Sequence, residues 1–158
     1  ILGEDVAYGR TTYIAPNDLR ELYFPYLREL ARQIRALGLA VFFHSDGNLN
    51  AILDDLATCE LDGIQGLEPA AGMDIGAARA RVGDALTLWG NLGYAFLSAP
   101  RTDAEMDAAV RATQSGAASR GKIILGSCSG LVPGMNIETV RRAHNPNRGF
   151  NTFAKFRF

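Results

Sequence analysis

The sequence predicts an α/β fold in which parallel strands, each followed by a helix, form part of a (β/α)8 TIM barrel. Three observations carry that expectation. Short apolar runs suited to buried strands stop abruptly at polar residues, most clearly in Leu39-Ala40-Val41-Phe42-Phe43-His44-Ser45-Asp46-Gly47. Helical periods and caps separate these runs, the cadence of βαβ units. The polar residues recur at successive strand ends: Glu4 and Asp5, His44 and Asp46, Glu68, Asn91, then Cys128 and Ser129. A barrel gathers its strand C-termini round one mouth, where all of these can face one substrate. An open doubly wound sheet would spread them along an edge, and no Gly-x-Gly-x-x-Gly opens any of the helices to support a dinucleotide-binding version of it.

The elements follow in order. Ile1-Leu2-Gly3 resembles the end of a buried strand. Asn17 can cap a helix from Asp18, and Leu19, Leu22, Tyr23, Tyr26, Leu27, Leu30, Ile34 and Leu37 hold a helical period until Gly38 ends it. Pro25 lies inside that pattern, so a kink or a junction of two helices is expected there. A strand over 40–44 and a helix near 48–58 come next, then a short strand from Asp62 that ends at Glu68. A short helix over about 74–82 is closed by Gly83, and Ala85–Leu92 forms a strand ending at Asn91. Thr102 caps a helix to about 119, with Glu105 three residues on as in a capping box. Lys122–Ser129 is the last strand, and Asn136 caps a final helix over 137–143.

The chain has 158 residues, enough for one domain with a sizeable core. Its 47% apolar and 21% charged composition is that of a globular protein, and a net charge of −1 gives no electrostatic reason to bind nucleic acid or an anionic membrane. No apolar run approaches the roughly 18 residues of a membrane span. Two cysteines, Cys59 and Cys128, make no disulfide framework, so reduced thiols in a cytoplasmic setting are expected. The sequence starts without Met and runs from Asn145 into a tail, Phe150, Phe153, Phe156 and Phe158 among polar residues, that has no helical or strand period. The expectation is a barrel piece over 1–143 and an irregular, non-native tail over 144–158. Such a piece needs the N-terminal half of the barrel or self-association to cover its edges.

Six motifs follow one another along the chain: Gly3-Glu4-Asp5, Leu22-Tyr23-Phe24-Pro25-Tyr26-Leu27, Phe43-His44-Ser45-Asp46-Gly47, Asp62-Gly63-Ile64 through Leu67-Glu68-Pro69, Trp89-Gly90-Asn91-Leu92, and Leu131-Val132-Pro133 with Asn136 and Val140. In these motifs and their order the chain resembles the uroporphyrinogen decarboxylase superfamily, which holds the decarboxylase of haem synthesis and zinc-dependent methyltransferases acting on corrinoid or thiol partners. The resemblance implies the C-terminal part of a (β/α)8 barrel. It also implies a parent activity of cofactor-independent decarboxylation of tetrapyrrole acetate side chains, with the substrate's carboxylates held by arginines of the N-terminal strands. The chain departs from both branches. Ser129 stands where the decarboxylase has a histidine, Gly93 stands where Gly-Asn-Leu-Asp has its Asp, and Asp46 replaces the cysteine of the methyltransferases' His-x-Cys-Gly.

The expected catalytic group is therefore Asp5, His44 and Asp46. His44 contacts substrate, and Asp5 or Asp46 stabilises cationic character as a protonated ring loses CO2. Histidine suits proton transfer near neutrality; its bland alternative is a ring satisfied by backbone. Glu4, Glu68, Asn91 and Ser129 are the expected substrate-binding residues, with a helix cap the alternative for Glu68 and a loop anchor the alternative for Asn91. The methyltransferase alternative would use His44, Asp46 and Cys128 as zinc ligands and a methyl carrier as partner. An inactive barrel fragment is the non-enzymatic reading. Neither a metal nor a cofactor is expected for the decarboxylase.

Overall fold

The computed structural model describes residues 1–117 and 122–144. Of the tail expected over 144–158, His144 is the C-cap of the last helix and residues 145–158 lie outside the described residues, as do the last positions of the helix expected to reach 119. Five parallel strands form one sheet: β1 (Leu2–Gly3), β4 (Phe42–Ser45), β5 (Gly63–Gly66), β6 (Thr87–Leu92) and β7 (Ile123–Ser127). The strands lie side by side in chain order, with no reversal. A doubly wound sheet reverses its order at a switch point, whereas a barrel wall does not. Helices α1 (Pro16–Leu22), α2 (Phe24–Ala36), α3 (Leu53–Ala57), α4 (Ile75–Val82), α5 (Tyr94–Ser98) and α6 (Asp103–Ala117) fill the crossovers, and α7 (Ile137–Ala143) follows β7.

Local chemistry explains the boundaries. The expected break near Pro25 is a junction at Tyr23, with Pro25 in the first turn of α2, where its missing N–H costs nothing. Pro16 rather than Asn17 opens α1, and Ala15 is its N-cap. The capping box of α6 forms as read: Glu105 N–H donates to Thr102 Oγ1 at 3.3 Å, and Thr102 N–H donates to Glu105 Oε2 at 2.8 Å. Asp74 caps α4, and Asn136 Oδ1 accepts from Thr139 N–H at 3.0 Å to cap α7. The helix expected near 48–58 shrinks to Leu53–Ala57, because Asn48 holds its own loop by accepting from Asn50 N–H.

Strand register separates two faces. Phe43, Ile64 and Leu88 lie side by side in the ladder, and all three are fully buried in the main core with Leu53 and Leu56 of α3 and Ala78 and Val82 of α4. They face the helices. Alternation sends the next residues, His44, Gln65 and Trp89, to the opposite, concave face. Lower on that face Phe42 and Trp89 meet edge to face, 5.9 Å between centroids. Two glycines leave room for these rings. A Cβ on Gly63 would come 2.4 Å from the Phe42 ring, and one on Gly126 would come 2.7 Å from Trp89 Nε1. The large and small residues thus interdigitate to floor the concave side, as barrel interiors require.

A two-stranded antiparallel hairpin, β2 (Ala7–Tyr8) and β3 (Thr11–Thr12), follows β1 at the C-terminal end of the sheet. Buried Arg79 on α4 donates to the carbonyls of Gly83, Leu86 and Lys122, tying the entries of β6 and β7 to the helix layer.

Candidate functional site at the barrel mouth

The loop Ser45-Asp46-Gly47-Asn48 at the end of β4 builds the mouth. Ser45 Oγ accepts from Val6 N–H at 3.1 Å, Asp46 N–H donates to Asp5 Oδ1 at 2.8 Å, and Asn48 N–H donates to Tyr8 O at 3.0 Å. Gly47 has φ +86° and lies so close to the hairpin that an added Cβ would stand 2.4 Å from Tyr8 N. Each loop residue therefore holds one residue of the segment 5–8. Asn48 also donates through Nδ2 to Ala71 O at 2.8 Å, which fixes the 3-10 turn Pro69–Ala71 after β5.

This scaffold brings Asp5, His44 and Asp46 together. His44 Nε2 lies 3.9 Å from Asp5 Oδ1 and 4.0 Å from Asp46 Oδ1, with the imidazole only 21% exposed. One ligand atom from each of the three residues falls within 4.8 Å of the others. The second ring nitrogen, Nδ1, is buried and has no hydrogen-bond partner among the described residues. A cavity of about 580 Å³ opens beside this cluster and is lined by Asp5, Asp46, Glu68 and Ser129, together with Tyr8, Tyr13 and Tyr94.

Four expected site residues thus share one cavity, and His44 stands against two of them. Glu4 and Asn91 are placed elsewhere. Glu4 extends the ladder through its N–H to His44 O, and it lines a separate 280 Å³ groove against α2. Asn91 donates to Leu67 O at 3.4 Å and accepts from Thr113 Oγ1 of α6 at 3.2 Å, which is its loop-anchor alternative. Glu68 lines the cavity and also makes the contacts of its helix-cap alternative, accepting from Ala70 N–H at 3.2 Å and from Tyr94 N–H at 3.3 Å. The tyrosines and the hairpin that carries two of them were missed in the sequence. The available signal was Gly9 between Tyr8 and the β-branched pair Thr11-Thr12.

Partial burial is the largest cause holding the Asp46 carboxyl above its ordinary value; His44 opposes the rise, while Asp5 and Glu68 add to it. A carboxyl raised in the folded state binds more protons folded than unfolded, so its ionisation opposes folding. The cost is absent below the ordinary value and fully present above the raised one. Asp46→Asn is therefore expected to raise the denaturant midpoint at neutral pH, and the gain to vanish as pH falls below about 4. Parallel urea titrations at the two pH values check this; a gain that persists in acid would contradict it.

Cys128 does not join the cluster. It is fully buried, and burial, followed by the charge of Glu68 and a hydrogen bond to it, pushes its thiol far up. Burial likewise pushes Cys59 up to about 11. Both thiols are expected to resist alkylation near pH 8 in the native protein and to react in denaturant, as mass spectrometry would show. Rapid native labelling of Cys128 would restore it as a thiolate candidate.

Parallel strands in unbroken order, with polar residues gathered at their C-terminal ends, define part of a (β/α)8 barrel with its site at the mouth. The chain belongs to the uroporphyrinogen decarboxylase (URO-D) family, whose model matches residues 5–145. Among solved structures it is similar to a methyltransferase from Methanosarcina mazei, with a TM-score of 0.72 and 22% identity over 89% of this chain. That likeness shows a shared fold, and this chain spans 39% of that protein's length. No curated protein matches the sequence. Among the described residues, no helix is long and apolar enough to cross a membrane.

Proposed function

We propose that the barrel of which this chain forms part is a URO-D-type decarboxylase that works by proton transfer without a metal, with His44 as the proton donor. The observation that carries this reading is the environment of the two ring nitrogens. Nδ1 is buried without a partner whether or not it carries a proton, whereas Nε2 faces two carboxylates whose oxygens accept hydrogen bonds. The proton of the neutral ring therefore belongs on Nε2, the nitrogen that faces Asp5 and Asp46 at the mouth. As the neutral tautomer, Nε2–H donates a hydrogen bond to the substrate. Only the imidazolium can hand over the proton itself, because a neutral ring that lost it would become imidazolate. The carboxylates beside it stabilise the cationic character that precedes loss of CO2. The electron pair of the broken C–CO2 bond neutralises the protonated ring; the carbon that carried CO2 then takes a proton from solvent while the ring gives up the one it had gained. By family resemblance the substrate is a tetrapyrrole bearing acetate groups, and its carboxylates would be held away from Asp5, Asp46 and Glu68.

Zinc-dependent methyl transfer is favoured by one observation, the three possible ligand atoms within 4.8 Å. Zinc on Nε2 would move the ring proton to the partnerless Nδ1, whereas ligating histidines as a rule bond their second nitrogen. Cys128, expected as the third ligand, is held protonated against Glu68. The donor set fits zinc poorly.

The deciding experiment is carried out on the full polypeptide that bears residues 1–158. Release of CO2 from uroporphyrinogen by metal-free protein, lost in His44→Ala, supports the reading. Stoichiometric zinc that is lost in His44→Ala, with no CO2 released, would replace it by methyl transfer.

A further inference from the structure

The mouth cavity has a chemical character that proton transfer alone does not use. Tyr8 and Tyr13 stack at 5.0 Å between centroids and 29° between planes, and both rings remain substantially exposed where they border the cavity. Tyr94 borders it as well, from the first residue of α5. Asp5 and Asp46 line the same space, and neither carboxylate is neutralised by an arginine or lysine within ion-pair distance among the described residues. Glu68 adds a third carboxylate, although its oxygens are engaged by Ala70 and Tyr94 N–H. No lysine or arginine is among the described lining residues; Arg10 is exposed at the hairpin turn, outside the lining. Aromatic faces beside uncompensated carboxylates attract cations, and the energy of an ammonium over a ring grows as the site is desolvated. An anionic group placed inside this cavity would meet like charge from its ionised lining groups, so the substrate carboxylates of the decarboxylase reading lie outside it.

We propose that the cavity under the β2–β3 hairpin binds an organic cation of the quaternary or protonated-amine class, held by the faces of Tyr8, Tyr13 and Tyr94 and by the carboxylates of Asp5 and Asp46. The volume of about 580 Å³ falls within the range of small-molecule sites. The cavity borders Asp5 and Asp46, the partners of His44, without including His44 in its lining, so the cation occupies a subsite beside the reacting one. The proposal shares Asp5 and Asp46 with the decarboxylase reading, yet it concerns binding, which is measured without turnover. A protein that binds the cation but releases no CO2 overturns the reaction and leaves this site standing; the converse overturns the site alone.

The test is calorimetric titration of the full polypeptide with choline and with its neutral isostere, 3,3-dimethylbutan-1-ol. Choline is expected to bind at least about tenfold more tightly than the isostere. Tyr13→Ala is expected to weaken choline about three- to thirtyfold, a range set by the loss of one cation–π contact. Tyr13 is 64% exposed, so the change leaves the core untouched, and Tyr13→Phe should restore binding because it keeps the ring face. Asp5→Asn should weaken choline and leave the isostere unchanged. Equal affinity for choline and isostere, no choline binding by protein with native circular dichroism, or an unaltered Tyr13→Ala would each overturn the proposal. A response to divalent metal alone would overturn it too.

Discussion

Gly47→Ala is expected to cost about 2–4 kcal/mol of stability and to dismantle the mouth. Two effects add. At φ +86° a Cβ is strained in its own backbone, worth about 1–2 kcal/mol. The new atom would also fall 2.4 Å from Tyr8 N, 2.5 Å from Ala7 C and 2.6 Å from Tyr8 Cα, all of them backbone atoms that no rotamer change can move aside. Relief requires the hairpin to lift, which strains the bonds from Asn48 N–H to Tyr8 O and from Asp46 N–H to Asp5 Oδ1. Urea denaturation reads the first effect, and loss of choline binding at a temperature where the variant is still folded reads the second. A variant within about 0.5 kcal/mol of the parent would show that the hairpin does not rest on this loop.

His44→Ala is expected to lower kcat about 10²- to 10⁴-fold in the full polypeptide, with much less change in KM. The residue sits on the concave face of β4, and its removal leaves Phe43, its neighbour on the helix face, in the core. The variant should therefore fold. The signature of a proton donor is the split between kcat and KM. A fall confined to KM would reassign the imidazole to substrate binding.

The sequence carried the sheet well because parallel strands leave two strong marks, a continuous apolar run and a polar residue where the run ends. Phe42–Ser45 and Thr87–Leu92 show both, and their neighbours could be ordered from cadence alone. The gathering of Asp5, His44 and Asp46 was legible for the same reason, since strand ends in a barrel converge. What was not legible depends on long-range contacts. Glu4 and Asp5 are adjacent in sequence, but Glu4 lines the groove against α2 while Asp5 meets His44, and nothing local says which does which. Asn91 is at a strand end like His44, yet Thr113, a residue on α6, claims its oxygen. Arg79 looks like one more exposed helix charge until the carbonyls of Leu86 and Lys122 are brought to it by the fold. The β2–β3 hairpin has strands of two residues each, too short to leave a period.

The ring of Trp89 set against Phe42 has a use of its own. It is the sole tryptophan of the chain, so its emission is an optical label already built into the protein. The indole occupies the barrel's interior floor rather than the helix layer, and its colour and intensity report whether that interior is intact. Far-ultraviolet dichroism reports mostly the helices outside. If the two signals melt together, strands and helices form one cooperative unit; if the indole changes first, the interior can open while the outer layer persists.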